Sequence, residues 1–230
     1  MIHPGDIISH SAMCAEEGVN LQRGMNFRTV GGSSVFLMST RRGAPYADRV
    51  EDKGATLVYE GHDIPQVQGG PAPKTVDQVG ATEYGTPTQN GLFFAAARKH
   101  AHRGVEPLMV KVYEKIKSGI WVFNGIFALV DAWTEESGGR QVFKFRLSLI
   151  EDDIPAVPEV RELAHTRMIP SNVKQEVYAR DKGRCVVCGS DDNIHYDHIL
   201  PFSKGGTSLT ADNIQILCAR HNLQKSAKII

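Results

Sequence analysis

The chain has 230 residues, enough for one large domain or two of ordinary size. Hydrophobic residues make up 41% of it and charged residues 23%, which is the composition of an ordinary globular protein. Its 26 basic and 26 acidic residues cancel, so the total charge does not by itself indicate a polyanionic partner. No stretch is apolar for long enough to span a membrane, and the N-terminus lacks the pattern of a secretory signal. We therefore expect a cytoplasmic protein without a membrane partner.

Residues 1–150 are predicted to be rich in β-strands. The stretch QVFKFRLSLI alternates, with Phe143 and Phe145 on one face and Lys144 and Arg146 on the other, which is typical of a half-buried strand. The stretches SVFLMS, ATLVYEG, LMVKVYEKI and GIWVFNGIFALVDAW also favour strands, because they are rich in β-branched and aromatic residues. The N-terminal part is therefore predicted to be a curved sheet or a barrel.

Two helices and a linker are predicted along the rest of the chain. QNGLFFAAARKHAHRG indicates a helix that ends near Gly104. SNVKQEVYARDKG indicates a second helix, with Ser171 as its N-cap and Gly183 just past its end. Between them, EDDIPAVPEVRELAHTRMIP begins acidic and contains three prolines, which disfavour regular structure. The predicted organisation is an N-terminal segment (1–150), a linker (151–170) and a C-terminal segment (171–230).

Three of the four cysteines belong to two spaced pairs, Cys185-Val-Val-Cys188 and Cys218-Ala-Arg-His221. Two such pairs together supply the four ligands of a tetrahedral Zn²⁺. The first pair is expected on a turn that ends at Gly189, and the second on one face of a helix. A lone CxxC is also compatible with a chance pair or a redox dithiol, but the matching second pair favours structural zinc. A segment this small buries little core, so the metal would contribute much of its folding energy.

An Asp-His pair and two asparagines remain unexplained by a zinc staple. Asp197 and His198 lie on the strand-like stretch IHYDHIL, while Asn213 and Asn222 lie further along. The pieces CVVC, YDHILPFSKGG, DNIQILC and RHNLQK stand in order over residues 185–225. In this arrangement the C-terminal segment resembles the HNH endonucleases, the ββα-metal nucleases, in the form that carries a zinc knuckle.

The resemblance implies a role for each matching position. His198 would be the general base that activates water, and Asp197 with Asn222 would hold a catalytic divalent ion, Mg²⁺ or Mn²⁺. Asn213 would open the helix, brace the strand-helix geometry and orient the His198 ring. Lys225 would contact DNA phosphate. The family often has His at the position of Asn222, but an amide oxygen is also a suitable ligand for Mg²⁺.

The N-terminal segment carries a second, more diffuse pattern. Its pieces are Tyr46 with Asp48, the triplet Tyr59-Glu60-Gly61, Asn90, and the stretches VKVYE, FNGIFALVDAW and FKFRL. These pieces resemble an SRA domain of the wider PUA-like group, a class that flips a modified cytosine out of the DNA duplex. Another PUA-like reader of modified bases, such as an EVE domain, is the alternative.

By position, Tyr46 and Tyr59 would sandwich the flipped base, and Asp48 would bind its Watson-Crick edge. Glu60 replaces the usual threonine of the family and would affect which modification is accepted. Each tyrosine also fits an aromatic strand residue that packs in the core, and Asp48 also fits a turn residue.

The sequence therefore predicts an α+β fold, in which a β-barrel-like SRA/PUA-type domain precedes a small zinc-stapled ββα-metal (HNH) domain. The predicted function is that of a modification-dependent restriction endonuclease, which binds double-stranded DNA containing 5-methylcytosine or a related base. Arg41 and Arg42 are expected to contact DNA phosphates. One HNH site cuts one strand, so a homodimer is expected. The alternatives are an HNH nicking or sequence-specific endonuclease acting on unmodified DNA, and a non-catalytic reader whose Asp197-His198 pair is structural.

Overall fold

The computed structural model describes residues 2–52, 55–150 and 168–225. The strands are β1 (Asp6–Ser9), β2 (Met25–Asn26), β3 (Ser34–Met38), β4 (Arg49–Glu51), β5 (Thr56–Glu60), β6 (Leu108–Lys117), β7 (Ile120–Ser137), β8 (Arg140–Leu149), β9 (Ile194–His198) and β10 (Ile214–Cys218). The helices are α1 (His10–Glu17), α2 (Gln89–Arg103), α3 (Ser171–Arg180) and α4 (Ala219–Lys225). Short 3₁₀ turns lie at Pro73–Thr75, Phe202–Lys204 and Ala211–Asn213.

The long strand β7 organises the sheet. Along one path the strand order is β10-β9-β1-β7-β6-β3-β2, while β8, β5 and β4 branch from β7. The first residues of β7 pair with β1, and its later residues, from Phe127 onward, pair with β8. Strands β3 and β6 are parallel, and the other paired strands are antiparallel. Because of this branch, β7 contributes both to the core of the N-terminal segment and to the boundary with the C-terminal segment, which is called the seam.

Helix α2 closes the core of the N-terminal segment. The Thr88 hydroxyl caps its first turn by accepting a hydrogen bond from Gly91 N, and Gly104 ends the helix at φ 61°, as predicted. Phe93 and Ala97, one turn apart, face inward and are fully buried. Aromatic side chains from four strands meet them there: Phe36, Tyr59, Phe127 and Phe145. Strands β3 and β5–β8 thus surround one apolar core in a barrel-like manner.

The C-terminal segment continues the sheet of the N-terminal segment. Strand β9 pairs with β1, with Asp6 opposite His195 and Ile7 opposite Ile194, and β10 pairs with β9. A shared apolar core lies beneath this seam. It includes Ile7, Ile116, Val122, Val173, Val177, Ile194, Ile214 and Ile216. The two segments are therefore joined by a continuous sheet and a common core.

A buried polar network crosses the same seam. Lys174 on α3 donates from Nζ to Glu114 Oε2 at 2.8 Å and to Asn124 Oδ1 at 2.5 Å. The side chains of Lys174 and Glu114 are 3% and 1% exposed, so this ion pair is screened little by water. Burial pushes the pKa of Glu114 up, but the Lys174 ammonium and nearby hydrogen bonds outweigh it and lower the pKa overall.

The α+β class and the predicted strands are confirmed, with local corrections. Ser171 is not the N-cap of α3, because Pro170 occupies that position and Ser171 is the first helical residue. Lys144, which the alternation places on the polar face of β8, is 1% exposed, because it pairs with Glu60 on the neighbouring strand. The predicted linker 151–170 lies outside the described residues except for its last three. Within the described ranges, none of the helices combines the length and apolar character needed to cross a bilayer.

Candidate functional site

Four side chains of the C-terminal segment converge on one point. Cys185 and Cys188 come from the turn after α3, which ends at Gly189 with φ 74°, as predicted. Cys218 is the last residue of β10 and His221 lies in α4, so the second pair is not on a single helix face, which corrects that prediction. The ligand atoms of all four residues lie within 4.8 Å of one another.

The distances and chemistry of this cluster fit zinc. The Sγ atoms of Cys188 and Cys218 are 3.8 Å apart, and His221 Nδ1 lies 3.4 Å from Cys185 Sγ and 3.2 Å from Cys218 Sγ. Zn–S bonds of about 2.3 Å imply ligand separations of roughly 3.8 Å in a tetrahedron. Burial opposes ionisation of Cys185, but backbone hydrogen bonds outweigh it and lower its pKa to about 6. The cluster could therefore hold a metal ion, and thiolate with imidazole is the donor set that suits zinc.

The Asp-His pair lies on a strand, as the sequence predicts, and occupies the last two positions of β9. Asp197 lies opposite Gln215 and His198 lies opposite Ile214 in the β9–β10 register. The His198 ring nitrogen Nε2 is 2.8 Å from the hydroxyl of Ser208, a residue that is only 2% exposed. A residue of the loop that follows β9 thereby holds the His198 ring in place. Sequence reasoning missed Ser208, because a serine in a polar loop carries no distinguishing signal.

Asn213 braces that same loop. Its Oδ1 accepts a hydrogen bond from Leu200 N at 2.8 Å, and its Nδ2 donates to Thr207 O at 2.9 Å and to Leu200 O. It does not open a helix, which corrects the prediction: it ends a 3₁₀ turn directly before β10. A Cβ at Gly206 would lie 1.9 Å from Leu200 O, so the close approach of this loop requires glycine there.

The Asp197 carboxylate has two partners. Its Oδ2 accepts from Gln215 Nε2 at 3.1 Å and lies 2.9 Å from Lys225 Nζ, which also donates to His198 O at 2.6 Å. The Lys225 side chain is 3% exposed, so the structure does not present it for the predicted phosphate contact. Asn222, the other expected ligand, is half-buried on α4. The hard oxygens of Asp197 and Asn222 are the donor type that Mg²⁺ and Mn²⁺ prefer.

His195, on the same strand, serves the seam between the segments. Its Nδ1 lies 2.5 Å from Oδ1 of Asp6, on β1. The partners are 189 positions apart in sequence, so no local pattern indicates the pair. This contact makes His195 a strand residue of the seam.

A cavity of about 550 Å³ opens in the N-terminal segment. The predicted pocket residues Tyr46, Asp48 and Tyr59 line it, together with Arg41 and Trp121. Both Asp48 oxygens accept backbone hydrogen bonds, Oδ1 from Glu60 N at 3.0 Å and Oδ2 from Ser39 N at 3.1 Å. Burial nevertheless raises the pKa of Asp48 to about 7, because the ionised form loses its water.

The two tyrosines border the cavity in different ways. Tyr46 is half-buried and stacks on His62, with ring centroids 5.9 Å apart. Burial lowers the pKa of His62 to about 4, so its ring is neutral near pH 7. Tyr59 is 3% exposed, packs on Phe36 at 4.4 Å and donates its hydroxyl to Leu37 O. Lys74 Nζ also lies 4.0 Å from the centroid of the Tyr46 ring. Tyr46 thus borders the cavity with neighbours on its ring, whereas Tyr59 is a core residue that reaches the cavity wall.

Glu60 and the two arginines complete the predicted set. Glu60 is 4% exposed and lies outside the cavity lining, which corrects its predicted place in the pocket. Its carboxylate forms ion pairs with Lys144 Nζ at 2.9 Å and with Arg140 at 3.5 Å. Its Oε2 also accepts a hydrogen bond from Ala47 N at 3.2 Å. It thus supports the loop beside the pocket. Arg41 lines the cavity and Arg42 is exposed, so both guanidinium groups are accessible.

Residues 185–228 match the family model of the HNH endonucleases. This part of the chain, the HNH segment, is similar to those enzymes. The match covers both the Cys₃His cluster and the Asp197-His198 pair, as the sequence predicts. No curated protein matches the chain.

Several solved structures are similar to larger parts of the chain. A complex of the SUVH5 SRA domain with fully methylated CG DNA is 24% identical and covers 67% of this chain and 95% of its own, with a TM-score of 0.45. The modification-dependent TagI restriction endonuclease is 22% identical and covers 97% of this chain and 77% of its own, with a TM-score of 0.43. KRYPTONITE in complex with mCHG DNA is 16% identical over 69% of this chain and 34% of its own, with a TM-score of 0.44.

Proposed function

We propose that this protein is a modification-dependent DNA endonuclease. Its N-terminal segment binds double-stranded DNA and receives a flipped 5-methylcytosine, or a related modified cytosine, in the cavity beside Tyr46 and Asp48. Its HNH segment then hydrolyses a phosphodiester bond. One observation carries the proposal. A single continuous sheet joins a cavity lined by aromatic and carboxyl groups to an Asp197-His198 pair that lies within the match to the HNH family.

The cavity has the chemistry that a flipped base requires. A base that leaves the duplex loses its stacking neighbours, and the Tyr46 ring, which lines the cavity, would replace one of them. Asp48, with a pKa of about 7, is available in its neutral form. A neutral carboxyl group donates to N3 of cytosine through its hydroxyl and accepts from the N4 amino group, so it matches the Watson-Crick edge. The cavity volume of about 550 Å³ also lies within the usual range of ligand sites.

The HNH segment has the groups that phosphodiester hydrolysis requires. His198 removes a proton from the attacking water, and Ser208 holds its ring in place. Asp197 and Asn222 would hold the divalent cation, Mg²⁺ or Mn²⁺, which supplies charge neutralisation at the scissile phosphate. Asn213 keeps the loop next to His198 in position. Zinc bound by Cys185, Cys188, Cys218 and His221 would fix the turn after α3 to α4.

The DNA partner is contacted in two further ways. Arg41 and Arg42 lie at and near the cavity and would bind phosphates that flank the flipped nucleotide. Each chain has one HNH site, which cuts one strand, so a double-strand break requires a second copy or a second nick. We propose a homodimer for this reason, acting in the cytoplasm.

The test is digestion of matched plasmids that contain 5-methylcytosine, 5-hydroxymethylcytosine or unmodified cytosine, with Mg²⁺ and with Mn²⁺. We expect cleavage of modified DNA only, its loss in His198→Ala, and loss of discrimination in Tyr46→Ala. Equal cleavage of all plasmids would instead indicate a nicking or sequence-specific endonuclease for unmodified DNA. Binding to modified DNA without cleavage under either ion would indicate a non-catalytic reader.

A further inference from the structure

The strand register places a glutamine beside the proposed metal ligand. Gln215 of β10 lies directly opposite Asp197 of β9. Side chains of directly opposed residues project from the same face of a sheet, so they meet. The contact is a hydrogen bond of 3.1 Å from Gln215 Nε2 to Asp197 Oδ2. Gln215 is half-buried and contributes no charge.

A lysine on α4 reaches the same oxygen. Lys225 lies at the end of α4, and its Nζ is 2.9 Å from Asp197 Oδ2 and 2.6 Å from His198 O. Its side chain is 3% exposed, and a buried ammonium is stable only where oxygens surround it. The two contacts therefore fix Lys225 in place and connect α4 to the end of β9.

Both donors converge on Oδ2, and none of the hydrogen bonds found within the described ranges involves Oδ1 of Asp197. Two donors on one oxygen fix the plane of a carboxylate group. The Asp197 side chain keeps 14% of its surface exposed, so the group is not sealed from solvent. A carboxylate held in this way offers one defined oxygen to a ligand.

We propose that Gln215 and Lys225 are positioning residues, which hold Oδ2 of Asp197 so that Oδ1 is presented to the catalytic cation. The inference rests on the proposed function in one respect, that Asp197 is a ligand of that cation. Groups that hold a metal ligand in orientation contribute about 10- to 100-fold to metal affinity. Lys225 also compensates the Asp197 charge before the cation binds. This role replaces the DNA contact predicted for Lys225.

Gln215 provides the cleaner test, because its removal changes no charge. We expect Gln215→Met, which is close in shape, to weaken Mn²⁺ binding by about tenfold or more, measured by electron paramagnetic resonance on the zinc-loaded full chain. At saturating Mn²⁺, we expect Gln215→Met to recover most of the cleavage rate. The fold-increase in the Mn²⁺ concentration that gives the half-maximal rate should therefore exceed the fold-decrease in the maximal rate. Gln224→Met is the matched control, since Gln224 is exposed on α4.

Two further variants keep the test decisive. Gln215→Asn retains an amide but is one methylene too short to reach Oδ2, and it should weaken Mn²⁺ binding like Gln215→Met. Lys225→Arg retains a charged donor and should keep more of the cleavage rate at saturating Mn²⁺ than Lys225→Met. Zinc content and thermal unfolding of each variant show whether it is folded.

Asp197→Asn separates failure of this inference from failure of the proposed function. If Asp197→Asn abolishes Mn²⁺ binding while both Gln215 variants bind Mn²⁺ like the unaltered protein, the positioning role is overturned and the cation site stands. If Asp197→Asn binds Mn²⁺ as tightly as the unaltered protein, the proposed cation site itself is wrong. Equal cleavage rates in Lys225→Arg and Lys225→Met would remove Lys225 from the positioning role.

Discussion

At the scale of single residues, the partners of a buried charged side chain show whether it holds the structure together or is available to a ligand. Glu60 and Lys225 are both charged and near proposed sites, yet each is nearly inaccessible and fully engaged with partners of the chain. Asp48 is different, because burial raises its pKa to about 7 and no cation lies in contact with it among the described pairs. Its protonation state therefore changes near neutral pH.

Binding of modified DNA is expected to weaken as pH rises through this range. With a pKa of about 7, Asp48 goes from about nine-tenths neutral at pH 6 to about one-tenth neutral at pH 8. If the neutral form is the one that binds cytosine, affinity for modified over unmodified DNA falls by about tenfold, measured by fluorescence anisotropy at fixed salt. His62, with a pKa of about 4, does not titrate in this window.

Asp48→Ala provides the control for this pH effect. It should bind modified DNA weakly, with a ratio of affinities that is flat from pH 6 to pH 8. If the affinity ratio of Asp48→Ala falls with pH as steeply as that of the unaltered protein, another group is responsible. If the unaltered protein binds modified DNA more tightly at pH 8 than at pH 6, the carboxylate form is the one that binds.

At the scale of elements, the Cys₃His cluster ties the turn after α3 to the junction of β10 and α4. The apolar core of the HNH segment lies at the seam with the N-terminal segment, and the metal would add a second tie at the junction of β10 and α4. We expect Cys218→Ser to lose bound zinc and DNA cleavage, with a lower unfolding temperature, while binding of modified DNA by the N-terminal segment is retained. Zinc content by mass spectrometry, nuclease assays and anisotropy measure the three effects.

Cys14→Ser is the matched control for this variant. Cys14 lies in α1, outside the cluster, and its Sγ contacts His10 and Leu21 N instead. It should keep zinc and cleavage. Retention of zinc and cleavage by Cys218→Ser would contradict the proposed role of the cluster.

Local sequence patterns predicted these elements well, but not their long-range partners. Thr88 and Gly104 delimit α2 through contacts within the helix ends, so its bounds were predictable. The Cys and His spacing predicted the cluster for the same reason, yet it did not indicate that Cys218 belongs to a strand. Lys144 was expected on a polar face, and its burial depends on Glu60 across the sheet. Pairing between strands distant in sequence has no local signature, so the seam between the segments was not predicted.

At the scale of the whole molecule, the network of Lys174, Glu114 and Asn124 stabilises the seam. We expect Lys174→Met to destabilise the protein by about 3–5 kcal/mol in urea unfolding, because Glu114 is left buried without its counter-ion. The pKa of Glu114 is lowered in the folded state, so its stabilising contribution is present above its unfolded pKa and is lost as pH falls. The loss in Lys174→Met should therefore shrink under acidic conditions.

Two comparisons check that interpretation. Lys182→Met, an exposed change in the same segment, should alter stability by less than about 0.5 kcal/mol. Glu114→Gln combined with Lys174→Met should recover part of the loss, since no unpaired charge remains. A destabilisation by Lys174→Met equal to that of Lys182→Met would mean that the network contributes nothing to the seam.

The pairing of β1 with β9 has a consequence for where DNA is cut. Backbone hydrogen bonds and a common apolar core give the cavity beside Tyr46 and the Asp197-His198 pair a fixed separation and a fixed relative orientation. On the proposed function, the enzyme acts as a molecular ruler: the offset between the modified base and the broken bond is an intrinsic length of the protein. Cleavage products would then have one sharp end position relative to the modification, on one side of it, whatever the surrounding sequence.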